Sequence, residues 1–99
     1  MTELRGKDRR YLRSLGHHLK PVVQIGKDGL DEGPLAALDK ALADHELVKV
    51  KIMENAFLDR DEAAAVVEEK SGGAVVQTIG RILLVYRRNE EEPKINLPR

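Results

Sequence analysis

Apolar positions recur along this chain with two different periods. Between residues 3 and 19, Leu4, Tyr11, Leu12, Leu15 and Leu19 fall within about 100° of one another on a helical wheel, the width of a core-facing stripe. Arg5, Arg9 and Arg13 follow at four-residue spacing just outside that arc, with Arg10 and His17 beyond, so this helix has an apolar side and a basic one. Pro21 is expected to end it, because the residue before a proline is pushed out of helical geometry. Val22, Val23, Gln24 and Ile25 read as a short buried strand, then Gly26-Lys27-Asp28-Gly29 leads into a second helix. Asp31 is placed to cap that helix, and Pro34 is tolerated in its first turn, where backbone donors have no intrahelical partner. Leu35, Leu38, Ala41, Leu42 and His45 form its inner face.

The period then changes to two. Val48, Val50 and Ile52 alternate with Lys49 and Lys51, which predicts a strand whose lysines point away from the core. Asp59 with Glu62 three residues on is a capping-box arrangement opening a third helix, which Gly72-Gly73 stops. Val75–Ile79 and Ile82–Arg88 are two strands, and the glycine-first pair Gly80-Arg81 suits a tight primed hairpin turn. The order is α-β-α-β-α-β-β. It predicts an α/β fold with a four-stranded mixed sheet and the helices largely on one side or around it.

Length limits this to a single domain over 1–99, with 89–99 a short tail marked by Pro93 and Pro98. The chain has no cysteine, which removes thiol catalysis, cysteine-based zinc sites and a disulfide framework. Neither a membrane span nor a signal peptide is read in the sequence, and a cytoplasmic monomer is expected. Net charge is zero, from 17 Lys+Arg against 17 Asp+Glu, but it is unevenly placed. Residues 1–20 carry six basic and two acidic groups, and 71–99 five and three, whereas 21–47 carry two and six. If the two ends meet in space, the molecule has a positive face and a negative one.

The sharpest local feature is the GxxG loop Gly26, Lys27, Asp28 and Gly29. Two glycines let the backbone turn tightly and lie close to another backbone, and the following helix start offers free amides to a phosphate. The KH module clamps nucleic-acid backbone in this way. Read alone, the same four residues also describe a plain strand-to-helix turn. Three sets of cations could converge around one sheet face and this loop: Arg5, Arg9, Arg10 and Arg13 with Lys7 and Lys20, the strand lysines Lys49 and Lys51, and Arg81, Arg87 and Arg88 of the hairpin. Tyr11, Phe57 and Tyr86 are the only aromatics and read as packing residues, so recognition of shape and phosphate is expected over base stacking. His17 and His18 point about 100° apart on a helix and cannot share one ion, so no metal site is read, and no cofactor or small-molecule substrate either.

Three stretches together resemble a known family. They are Leu19 through Leu30 (LKPVVQIGKDGL), His45 through Ile52 (HELVKVKI), and Ile79-Gly80-Arg81 leading to Leu84-Val85-Tyr86-Arg87. They resemble the CRM domain (chloroplast RNA splicing and ribosome maturation), and Lys94 to Arg99 is similar to the end of the stand-alone bacterial YhbY-type members. The resemblance implies a fold like the C-terminal domain of translation initiation factor three. It also implies RNA binding through the loop and association with precursors of the large ribosomal subunit. Carried over by position, the loop is Gly26, Lys27, Asp28 and Gly29, and Lys20, Lys49, Lys51, Arg81 and Arg87 sit at basic positions of the family. The acid at Asp28, and Asp31 where a hydroxyl residue often stands, depart from the pattern. A non-enzymatic protein binding large-subunit rRNA is therefore the leading expectation. Two others stand beside it: a protein adaptor using Asp39, Asp44, Asp59, Asp61, Glu68 and Glu69, and, ranked last, an enzyme using His17 or His45.

Overall fold

The first helix begins where Arg5 and Asp8 close on each other. The Arg5 amide donates to the Asp8 carboxylate at 2.9 Å, and its guanidinium adds bonds of 2.9 and 2.8 Å, which fixes the first turn of α1 (Gly6–Gly16). These bonds hold the Asp8 carboxyl down at about 2, below the usual carboxylate range. The protein is described by a computed structural model that covers residues 4–98, so Glu3 and Arg99 lie outside it. Helix α1 is shorter than its apolar period predicts, and Pro21 does not end it. It stops at Gly16, where it is pressed on the sheet: a Cβ there would lie 2.7 Å from the Leu84 side chain, so only glycine lets the helix end this close. The Leu19 amide then donates to the Gly16 carbonyl at 3.0 Å and turns the chain into β1 (Pro21–Ile25).

Helix α2 (Glu32–His45) follows the loop and leads to β2 (Leu47–Ile52). Helix α3 (Arg60–Ser71) opens on the predicted box: Asp59 accepts from the Glu62 amide at 2.8 Å while Glu62 accepts from the Asp59 amide at 3.2 Å. It ends at Gly72 in left-handed geometry, and β3 (Ala74–Ile79) and β4 (Ile82–Tyr86) form the hairpin. The sheet order is β1-β2-β4-β3, with β1 parallel to β2 and the remaining pairs antiparallel. This is the α-β-α-β-α-β-β order and mixed sheet that the periods predict.

Strand alternation divides the core in two. Val23, Ile25, Val48, Val50, Ile52, Leu83 and Val85 face α2 and α3, where Leu38, Leu42 and Val67 are fully buried. Leu47, Leu84 and Tyr86 face the other way and pack with Leu12 of α1. Burying one Leu or Ile side chain contributes about 2 kcal/mol, so each layer is held by its own apolar set. The helices thus sandwich the sheet instead of lying on one side of it. Of the predicted α1 stripe only Leu12 is fully buried, and Tyr11, Leu15 and Leu19 remain more than a third exposed, since a single helix covers only part of the sheet face. His45, expected on the inner face of α2, is exposed at the helix end.

The tail is not free either. Glu46 is fully buried with φ of 64°, just past the end of α2. Its carboxylate accepts three backbone amides, from Asn89 at 2.6 Å and from Lys94 and Ile95 at 2.7 Å each. Ile95 and Leu97 then pack beside Leu12, and Arg5 donates to the Pro98 carbonyl. The two ends of the chain therefore meet on the α1 face.

Candidate nucleic-acid interface

Parallel pairing of β1 with β2 brings their C-terminal ends, Ile25 and Ile52, side by side. Antiparallel pairing sets Lys51 opposite Ile82, so the β3–β4 turn lies at that same end. Three connections meet there: residues 26–29, residues 53–58 and Gly80-Arg81. The Met53 amide donates to the Ile25 carbonyl at 2.8 Å, and the Ile52 amide to the Arg81 carbonyl at 2.7 Å, which ties the three together.

The GxxG loop closes on itself. The Gly29 amide donates to the Gly26 carbonyl at 3.0 Å, and Gly29 has φ of 70°, a left-handed value that favours glycine. Leu30 is buried and the Lys70 ammonium donates to its carbonyl at 3.0 Å, so the stem is anchored in the core and on α3. Lys27 and Asp28 at the tip are exposed. Helix α2 starts two residues past Leu30, and Asp31 caps it without a side-chain bond, which leaves its first-turn amides unoccupied by that side chain.

Several of the candidate cations collect here. Lys51 and Arg81 line one recess with Met53, Glu54 and Asn55, and the Arg81 guanidinium reaches the Met53 carbonyl at 3.3 Å. Lys49 lies on the same sheet face one pleat further down. Gly80 alone of the turn pair takes positive φ, 56°, as a glycine-first primed turn requires.

Others are placed elsewhere. Lys20 precedes β1, roughly 15–20 Å of strand away from the loop. Arg87 lies past the far end of β4, and its guanidinium donates to the Asp39 carboxylate at 2.9 Å, the Asp39 carbonyl at 3.0 Å and the Ser71 carbonyl at 2.8 Å. Arg87 is therefore a tie from the middle of α2 to the end of α3, occupied by internal partners. Arg9 is half-buried, with a long 3.5 Å contact to the Val75 carbonyl at the far end of the hairpin, and Arg13 is half-buried on α1. Of the three cation sets only Lys51 and Arg81 meet at the loop end; Lys49 is paired with Pro21 at the other end of β1, beside Lys20, on the sheet face that α1 covers.

The charge layout is two-faced. Helix α1 carries four basic residues against one acid and shares its sheet face with Lys49 and Lys51, while α2 and α3 together carry three basic and seven acidic residues on the other face. His17 and His18 stand edge to face with ring centres 5.4 Å apart, both exposed. Among the described residues no group of three metal-ligating side chains comes together, and no helix is long and apolar enough to cross a membrane.

Sequence reasoning missed one residue. Phe57, expected to pack, is 87% exposed and lines the recess beside Lys27, Gly29 and Lys70. No period marks it, because it lies in an irregular connection. Tyr86, by contrast, is buried as expected.

A two-faced α/β sandwich with an exposed GxxG loop defines a small class of domains. Residues 4–87 match the CRS1/YhbY (CRM) domain, and the chain belongs to that family. It is 46% identical over 102 residues to a Haemophilus influenzae protein named RNA-binding protein, spanning 100% of this chain and 99% of that one. It is 37% identical to the Bacillus subtilis protein YqeI, named a probable RNA-binding protein, covering 96% of this chain and 99% of that one. A Staphylococcus aureus protein of known solution structure superposes with a TM-score of 0.81 at 41% identity, over 97% of this chain and 100% of that chain.

Proposed function

We propose that this chain is a non-catalytic RNA-binding protein, and that its RNA is large-subunit rRNA in cytoplasmic precursor particles, to which it binds as a monomer. The observation that carries RNA binding is the exposed Gly26–Gly29 loop held rigidly at one sheet end beside Lys51 and Arg81. Amides left uncapped by a side chain, and cations with no bulky cover, suit a phosphate backbone. The relatives' names agree with this reading. Assembly of the large subunit follows from the family resemblance of the whole chain.

Lys27, Lys51 and Arg81 as phosphate contacts give a salt slope, d log K against d log salt, of roughly −2 to −3. Lys27→Glu is expected to weaken RNA binding while the melting temperature stays put, because the side chain is exposed. A variant binding as well as the parent across a salt titration overturns the loop's role. Sedimentation of a lysate at two salt concentrations tests the particle: the protein should travel with free large subunits or their precursors at low salt and be released at high salt. The acidic face supports a protein adaptor less well, because Asp39, Asp44, Asp59 and Glu68 already hold internal partners.

A further inference from the structure

Phe57 is the most exposed of the large hydrophobic side chains, yet the chain on both sides of it is pinned. The Ala56 amide donates to the Met53 carbonyl at 3.1 Å, Ala56 and Leu58 pack against the core, and Asp59 caps α3. The backbone is thus held in place while the ring stands in solvent. On one side the ring shares a recess with Lys27, Asp28 and Lys70, and on the other a recess with Arg60, Arg81 and the acids Asp59 and Asp61, Asp59 being occupied by the α3 cap. The loop and this segment touch: a Cβ on Gly29 would lie 4.0 Å from the Leu58 side chain, the residue next to Phe57.

We propose that Phe57 is the stacking platform for one unpaired base of the RNA whose backbone lies on the Gly26–Gly29 loop. This rests on the RNA-binding reading above and adds to it a preference for an unpaired nucleotide. Every base presents a π-face, so a solitary exposed flat ring accepts any of them without reading sequence, while Lys27 and Arg81, one on each side of it, take the phosphates. A base kept in a duplex is already stacked on its neighbours and does not reach the ring. The ring therefore discriminates strand state, which the loop and its cations, seeing only phosphate, do not.

The test compares the parent, Phe57→Ala, Phe57→Trp and Lys27→Glu on a mixed-sequence single-stranded RNA of about 12 nucleotides and on the matching duplex. Phe57→Ala is expected to lose roughly tenfold in affinity for the single strand and to keep its affinity for the duplex, with an unchanged melting temperature. The chain contains no tryptophan, so Phe57→Trp supplies a single indole that can be excited apart from Tyr11 and Tyr86, and its emission should be quenched by the single strand at preserved affinity. A parent that binds the single strand and a Phe57→Ala that binds it equally well overturns the stacking role alone, as does an equal loss on both RNAs. A parent that binds neither RNA, with Lys27→Glu indifferent, overturns the RNA reading and the stacking with it.

Discussion

The two ends of the sheet use the same residue types in opposite ways. At the far end, beyond β4, Arg87 is wrapped by Asp39 and Ser71, and Glu46 is fully buried with three amides on its carboxylate. At the loop end, Lys27 and Lys51 stand exposed, Arg81 makes one long bond, and an aromatic ring is left in water. Charge at the far end is taken up by partners within the chain, an ion pair and carbonyls for Arg87 and backbone amides for Glu46, and serves stability. At the loop end it is left to solvent, where a polyanion can take it up. Counting basic residues does not separate the two situations; their hydrogen bonds do.

The comparison breaks most sharply at Glu46. Glu46→Ala leaves three amides without their acceptor and keeps a side chain at positive φ, so it should destabilise by about 3 kcal/mol, a fall of about 10–20 °C in melting temperature. Glu46→Gly should fare better than Glu46→Ala by about 1 kcal/mol, because glycine relieves the left-handed backbone. Next, Arg87→Ala should lose about 2 kcal/mol in chemical denaturation with RNA affinity nearly unchanged. A large affinity loss with stability intact would place Arg87 at the interface and sink the distinction drawn between the ends.

Smaller effects are expected at the loop end. Gly29→Ala has room for its Cβ, so the cost is conformational, about 1 kcal/mol, and urea melts should show it without loss of cooperativity. Arg81→Ala should leave the melting temperature in place and weaken RNA binding roughly threefold to tenfold, lowering the salt slope by about one. The acid range yields least, because Arg5 is 54% exposed and solvent screens its pair with Asp8. The folded-state value of Asp8 is lowered from 3.8 to about 2, so its stabilisation is complete above about pH 4 and is lost as pH falls through 2. Melts of the parent and Asp8→Asn should differ at neutral pH and converge near pH 2.

The seven elements, their order and the two kinds of turn were legible in the sequence, because helix and strand periods, the Asp59–Glu62 box and Gly80-Arg81 are local signals. The loop was legible for the same reason. Element ends were less so: α1 stops at Gly16, and the close approach that demands glycine there is to Leu84, a residue 68 positions away that no local window contains. That the short tail is anchored was not legible, because the residues that hold it, Glu46 and the Leu12 cluster, lie far upstream.

What the sequence determined by itself is the set of elements and the chemistry of the loop, since both depend on neighbours within a few residues. Which cations meet that loop was decided only by tertiary structure. The order β1-β2-β4-β3 sends Lys51 and Arg81 to one end and Arg87 to the other, although Arg81 and Arg87 lie on the same hairpin. Phe57 is the sharpest case. Burial of a single aromatic outside any periodic segment depends on what packs over it, and among the described residues little does.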